Sequence, residues 1–382
     1  MFKRALKAFF LFLCPLFLFG VEALYLTYPD NPSHSVAVHW IEKEKDTGSQ
    51  QVLYRSVTDT DWIAVESKKS SLNKKYTLNA AVILNLQEDT QYVFRLVNDQ
   101  AEYLFKTLRE NLDSPIHIAI GGDAYQKAAP YKETNLQVAS KSPDFVILGG
   151  DIAYANQGDA IDRWVEFFRI WFQTMKTPKN NLIPIIATTG NHDILSKKEG
   201  GGKLFMQFFP YLDEGSYGVL EINKKTCFFL LDTGHINSIE GRQTQWLAKI
   251  LEEKKNFAYK IAVYHIAAYP SIYSYEKETP TLIRKFWCPL FELYDVPLAF
   301  ENHNHAFKRT CPIRKEKRDP TGVVYIGDGS WSADIRRKSD SRWYLEKRII
   351  TNAFSFVTLS EKEILVESFS SRGALIDSWK KL

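Results

Sequence analysis

The sequence predicts an α/β layered domain preceded by a separate all-β sandwich, and three observations carry that prediction. Short alternating apolar runs fill the chain from Leu24 to about Glu110. Longer apolar runs alternate with helical stripes after Pro115, and metal-capable residues stand directly behind those longer runs. With 382 residues, 45% of them hydrophobic and 25% charged, the chain has ample material for a core and suits two domains, not a disordered polymer. Lysine plus arginine number 49 against 45 aspartate plus glutamate, interleaved along the chain, so no nucleic-acid partner is expected.

In chain order, residues 1 to 23 read as a secretory signal. Lys3, Arg4 and Lys7 open it, an apolar run from Ala8 to Val21 follows, and Val21-Glu22-Ala23 presents small residues at both positions a signal peptidase reads. The run is too short for the roughly 20 residues of a membrane-spanning helix. The expected product is a secreted or periplasmic chain without a transmembrane span; a retained N-terminal anchor is the alternative. Removing the segment lowers the formal charge from +4 to +2. Of the later cysteines, Cys227 lies in an apolar run and reads as a buried thiol, while Cys288 and Cys311 could pair in an exported protein.

Residues 24–110 read as the sandwich, with strands such as Ser35 to Trp40, Gln51 to Tyr54 and Tyr92 to Val97. A turn at Leu86 to Thr90 precedes a strand that carries Tyr92 near its start, which suits the tyrosine corner of a fibronectin-III-like module. Trp40, Trp62 and Tyr92 are expected in its core. This module is expected to pack against the second domain or help form a homodimer. Arg109 to Pro115 is the linker, and 115–382 the second domain. There, Trp164, Phe167, Phe168, Trp171 and Phe172 form one core-facing helical stripe, and Trp246, Leu247, Ile250 and Leu251 another.

The chemistry collects at strand ends. The run 116 to 120 ends in Gly121-Gly122-Asp123, and 145 to 148 ends in Gly149-Gly150-Asp151 with Tyr154 close behind. The run 185 to 189 ends in Gly190-Asn191-His192-Asp193, 261 to 264 in His265, and 296 to 300 in Glu301-Asn302-His303-Asn304-His305. Glycine before each acid lets the backbone turn sharply. Taken singly, Asp123 reads as a cap or turn residue and His265 as a core histidine. Taken in order at one rim, the oxygens and imidazoles form a set too large for one transition metal and suited to two that share a carboxylate. His192, beside a ligand, is placed to contact substrate or protonate a leaving group.

The order of these motifs resembles the purple acid phosphatase family of dinuclear metallophosphoesterases. Gln245-Trp246-Leu247, the strand at Gly373 to Ser378 and the N-terminal sandwich are also similar to that family, so the resemblance spans the mature chain. It implies a ferric ion held by Asp123, Asp151, Tyr154 and His305, with the Tyr154 phenolate as the source of colour. It implies a divalent iron, zinc or manganese ion held by Asp151, Asn191, His265 and His303. Several residues depart from the pattern. A single residue separates Val263 from His265, Ala124-Tyr125 follows Asp123, Asn302 replaces a glycine, and Phe307-Lys308-Arg309 follows the last histidine. In place of a histidine pair that contacts phosphate, the chain offers Tyr269, Tyr273 and Tyr275, so phosphate contacts are sought at His192, Tyr273 or Arg309. The expected activity is hydrolysis of phosphomonoesters, small phosphate-ester substrates attacked by metal-activated hydroxide. The alternatives are phosphodiester, nucleotide or pyrophosphate hydrolysis at the same centre, chosen by loops 196 to 215 and 270 to 281, or a cell-surface binding module.

Overall fold

A computed structural model of the chain describes residues 20–43, 50–97, 99–195, 201–212, 215–327, 329–337 and 341–382. The N-terminal module runs through β1 (Val21–Thr27), β2 (Val36–Lys43), β3 (Gln51–Ser56) and β4 (Ile63–Glu66). It continues through β5 (Lys68–Ser71), β6 (Tyr76–Ile83), β7 (Gln91–Leu96) and β8 (Tyr103–Lys106). Two antiparallel sheets, β1-β2-β6-β5 and β4-β3-β7-β8, enclose Leu24, Val38, Trp40, Val52, Phe94 and Phe105. The tyrosine corner is formed: the Gln87 amide donates to the Tyr92 hydroxyl at 2.8 Å. Trp62 departs from expectation. It lies half-buried between the guanidinium groups of Arg55 and Arg95, 4.9 and 4.8 Å from its ring, because an edge position lets two cations cover an aromatic face that the core does not reach.

The second domain begins with β9 (Ile116–Gly121), α1 (Ala128–Ser140), β10 (Phe145–Gly149), α2 (Ala160–Thr174), β11 (Ile185–Thr188) and α3 (Lys203–Phe208). Next come β12 (Gly218–Asn223), β13 (Thr226–Leu230), α4 (Thr244–Glu253), β14 (Tyr259–Ile266), α5 (Glu278–Phe286), α6 (Cys288–Leu293) and β15 (Leu298–Asn302). The chain then passes through β16 (Phe307–Thr310), β17 (Ile313–Arg314), β18 (Lys317–Arg318), β19 (Val324–Gly327) and β20 (Leu345–Ile349). It closes with β21 (Ala353–Leu359), β22 (Ile364–Ser370) and β23 (Leu375–Lys381).

Two mixed sheets result, β11-β10-β9-β21-β22-β23 and β12-β13-β14-β15-β19-β16-β20. Side chains alternate across each strand, so both faces of the second sheet are apolar. Ile261 and Val263 of β14 join Ile118, Val146 and Leu148 between the sheets, while Ala262 and Tyr264 meet Leu247, Ile283 and Phe291 of the outer helices. This is an α/β layered sandwich. Its parallel strands β9, β10, β11, β14 and β15 carry the candidate residues at or just beyond their C-terminal ends.

The module docks through the outer face of β1. Leu24 and Leu26 point into the sandwich, whereas Ala23 and Tyr25 join the core of the second domain. Tyr25 stacks on Phe168 with ring centroids 3.8 Å apart and donates to the Phe208 carbonyl at 3.0 Å. Glu22 pairs with Arg169 and with Lys43. The expected leader lies outside the described residues as far as residue 19, and β1 begins at Val21. Cys227, Cys288 and Cys311 are buried free thiols; the possible pairing of Cys288 with Cys311 is not formed, and the Tyr325 hydroxyl donates to Cys288 Sγ.

Candidate metal centre

Backbone and side-chain hydrogen bonds stitch the loops of the two sheets together. The amides of Asp123, Ala124 and Tyr125 donate to the carbonyls of Gly150, Asp151 and Ile152 at 2.8 to 2.9 Å, so the first two acidic loops run side by side. Asp193 ties in the third: its carboxylate accepts from the amides of Ile152, Ala153 and Gly190. Within the other sheet Asn302 donates from Nδ2 to the Tyr264 carbonyl at 2.9 Å, and the His303 amide, donating to Asp123 Oδ2 at 2.9 Å, ties that sheet to the first. The glycines act chiefly by lacking a side chain. A Cβ at Gly149 would lie 1.9 Å from Asn302 Nδ2, and one at Gly190 would lie 2.1 Å from the Asp151 nitrogen. The left-handed turns fall mostly on the candidate residues themselves: Asp123, Asp151, Tyr154, His303 and His305 have φ of 55°, 52°, 50°, 80° and 57°. Non-glycine residues rarely adopt this region, and such strain concentrates at functional sites.

These turns bring all eight singled-out residues together, with their polar atoms in two adjoining groups. In one, Tyr154 Oη lies 3.3 Å from Asp123 Oδ1 and 3.2 Å from His305 Nε2, which is 2.9 Å from Asp123 Oδ1. In the other, His265 Nε2 lies 3.1 Å from Asn191 Oδ1, 3.2 Å from His303 Nδ1 and 3.3 Å from Asp151 Oδ2. The ligand atoms of Asp151, His265 and His303 all fall within 4.8 Å of one another. His192 stacks on Tyr154, centroids 4.6 Å apart, with its Nδ1 2.8 Å from Asn156 Oδ1 and its amide donating to Asp151 Oδ1 at 2.7 Å.

Two features show that this donor set fits metal ions. Asp151 Oδ2 is buried and has no hydrogen bond, an arrangement that buried carboxylates ordinarily avoid. A carbonyl can only accept, so His265 Nδ1 donates to Gly149 O at 3.0 Å and His305 Nδ1 to Asp334 O at 2.8 Å. In their neutral forms both rings then turn a bare Nε2 lone pair inward, the orientation that metal-binding histidines receive from such partners. Lone pairs from nitrogen, carboxylate and amide oxygen converge, and a cation satisfies them together.

The charges respond to the same field. Burial opposes an ionised Asp151, yet His265 and then His192 hold its pKa below the usual carboxylate range. Burial likewise opposes a charged His265, yet Asp151 lifts its pKa to about 9. Burial and the neighbouring Asp123 and Asp151 carboxylates push the Tyr154 phenol far up, so its coordination requires the metal to displace a proton. Asp193 is pushed up to about 8 by burial and by Asp151.

Of the residues sought as phosphate contacts, Arg309 is paired with Asp377 and Glu346, each at 2.7 Å. Tyr269 is buried among Tyr325 and Tyr344, and Tyr275 bonds to Glu316. Tyr273 reaches the centre, its ring 4.9 Å from that of His303. Arg336 was not foreseen: its amide donates to the His305 carbonyl at 3.1 Å, and its guanidinium to the Tyr273 hydroxyl and the His303 carbonyl. His235, its ring 5.6 Å from His265, is likewise close. Neither carries a spacing signal, since both arrive from distant segments.

Comparison with known proteins agrees with this geometry. The family model described as purple acid phosphatase, N-terminal domain, matches residues 21–107, and that of calcineurin-like phosphoesterase matches residues 116–307. Purple acid phosphatase 21 of Arabidopsis thaliana is 24% identical over 64% of this chain and 56% of its own length. Purple acid phosphatase 18 of the same plant is 24% identical over 68% and 60%. The chain thus spans less than two thirds of those relatives. Among solved structures, purple acid phosphatase PPD1 from yellow lupin seeds superposes with a TM-score of 0.79 at 18% identity, over 94% of this chain and 73% of that one. GAP50, the anchor in the inner membrane complex of Plasmodium, superposes at 0.52 with 16% identity, over 70% and 88%. The chain belongs to the calcineurin-like phosphoesterases and, within them, to the purple acid phosphatase family.

Proposed function

We propose that the protein is an exported phosphatase that hydrolyses phosphomonoesters at a dinuclear metal centre. The observation that carries this reading is the buried, unbonded Oδ2 of Asp151 between two groups of inward-facing donors. Asp123, Tyr154 and His305 would hold one ion, ferric iron; Asn191, His265 and His303 would hold a divalent iron, zinc or manganese ion; and Asp151 would bridge them. When bound, such a pair supplies a hydroxide nucleophile near neutral pH and neutralises the phosphoryl oxygens. The remaining work falls to the chain. Gly149 O and Asp334 O fix the imidazole tautomers, Asp193 holds the acidic loops in register, and the mostly buried ring of Tyr154 backs His192. His192, partly exposed on the solvent side of Tyr154, is placed to contact the phosphoryl group or protonate the leaving oxygen.

Export rests on the leader expected at residues 1 to 23, and no helix among the described residues is long and apolar enough to cross a membrane. The test is Asp151→Asn in the full chain. Metal content should fall and turnover of para-nitrophenyl phosphate should disappear while the circular dichroism spectrum is retained; undiminished turnover would reject the bridging role. Rates on monoester and diester substrates side by side decide the substrate class.

A further inference from the structure

Beside His303 opens a cavity of about 230 Å³, walled by Ile266, Ala267, Pro270, Tyr273 and Pro280, with Lys277 and Glu278 at its rim. Two cations converge on the ring of Tyr273: Lys277 Nζ lies 4.1 Å from its centroid and the Arg336 guanidinium carbon 4.8 Å. The same ring packs against His303, so both charges stand one side chain away from the candidate metal centre. Arg336 is held rigidly. Its backbone is pinned to the His305 carbonyl, and one terminal nitrogen serves both the Tyr273 hydroxyl and the His303 carbonyl, 3.1 Å away.

Its Nε and Nη2 have no partner among the described residues, and no carboxylate among them forms an ion pair with Arg336 or Lys277. Glu278 is the acid of the pocket and lies exposed at the rim. Tyr273 is fixed from the other side, where Asn304 Oδ1 accepts its amide at 3.0 Å. A fixed guanidinium with free donors is suited to grip a carboxylate or phosphate.

Resting on the phosphatase reading above, we infer that the Lys277 side of this pocket, together with Arg336 on the far side of its Tyr273 and His303 lining, is a second anion subsite. The preferred substrates are phosphate esters or anhydrides whose leaving half carries a further acidic group. The scissile phosphate lies at the metal centre, the body of the leaving half lies along the apolar wall, and its second anion meets Arg336 and Lys277. The chemistry shared by these substrates is an oxyanion a few bonds from the scissile phosphorus, either carboxylate or phosphate.

The full, metal-loaded chain is assayed with glycerol phosphate and phosphoglycerate, which differ by one carboxylate, and with pyrophosphate as the phosphate-bearing arm. The kcat/KM for phosphoglycerate or pyrophosphate should exceed that for glycerol phosphate by about tenfold or more. The advantage should shrink as ionic strength rises. Arg336→Met and Lys277→Met should each bring the ratio toward unity, and Lys277→Arg should keep it. Which acidic substrate shows the advantage identifies the anion. A ratio near unity in the parent chain, or one unchanged in both methionine variants, overturns the inference. If none of the three is hydrolysed, the phosphatase reading has failed by itself. Calorimetric binding of the same three compounds then decides the subsite by the same ratio, taken on Kd.

Discussion

Replacing Lys308 by methionine is expected to destabilise the fold by about 3 to 5 kcal/mol, the cost of leaving one member of a buried ion pair alone. Lys308 and Glu301 are both wholly buried, and the ammonium donates to Glu301 Oε2 and to the Tyr269 carbonyl. In the variant, Glu301 keeps hydrogen bonds from the Tyr264 hydroxyl and the Ala268 amide, each at 2.7 Å, but loses its cation. Urea unfolding at neutral pH should show a lower midpoint at unchanged slope. The double variant Lys308→Met with Glu301→Gln removes both charges and should recover most of the loss. A single variant within about 1 kcal/mol of the parent, or a double variant no better than the single, would refute the reasoning.

Three further outcomes are expected. His39 is wholly buried and its pKa is depressed by burial to about 3, so the unfolded chain binds the extra proton between pH 6.5 and 3. The stability contributed by its neutral ring is full above that window and falls by up to about 1.4 kcal/mol per pH unit as the solution is acidified; His39→Gln should flatten this slope in urea midpoints measured against pH. Gly190→Ala forces a Cβ to within 2.1 Å of the Asp151 nitrogen; elemental analysis should find a clear loss of bound metal, at a stability cost of about 1 to 3 kcal/mol. Tyr154→Phe removes the phenol, and iron-loaded protein should lose its visible charge-transfer band while Asp123, Asp151 and His305 remain in place.

Much of the architecture was readable because it depends on local pattern. The alternating runs before Glu110, the solid runs after Pro115 and the glycines at their ends each state a period or a turn. The tyrosine corner at Gln87 and Tyr92 is a short-range motif of the same kind. What escaped depends on neighbours far apart in the chain. Arg336 meets Tyr273 and His303 only after β14, β15 and β19, distant in the chain, have paired in one sheet, and nothing in Ile335-Arg336-Arg337 announces it. Asp193 stood next to the candidate ligands in the sequence, yet its work as a tie between the loops at 152 to 153 and 190 rests on backbone amides that carry no sequence identity. Arg309 looked like a phosphate contact by position, but the partners that pair with it, Glu346 and Asp377, lie on β20 and β23.

The left-handed φ of Asp123, Asp151, His303 and His305 also limits how this centre can change over evolutionary time. Aspartate, asparagine and histidine are the non-glycine residues that tolerate that conformation best, and they are also ligands for hard and borderline cations. Exchange among the three is therefore open to the backbone at all four positions, and to coordination at those other than Asp151. Glutamate lacks the short side chain that eases the conformation, and β-branched residues are worse. Backbone shape and coordination chemistry thus select the same small alphabet, so a lineage can retune this centre by swapping within it and has few steps leading out.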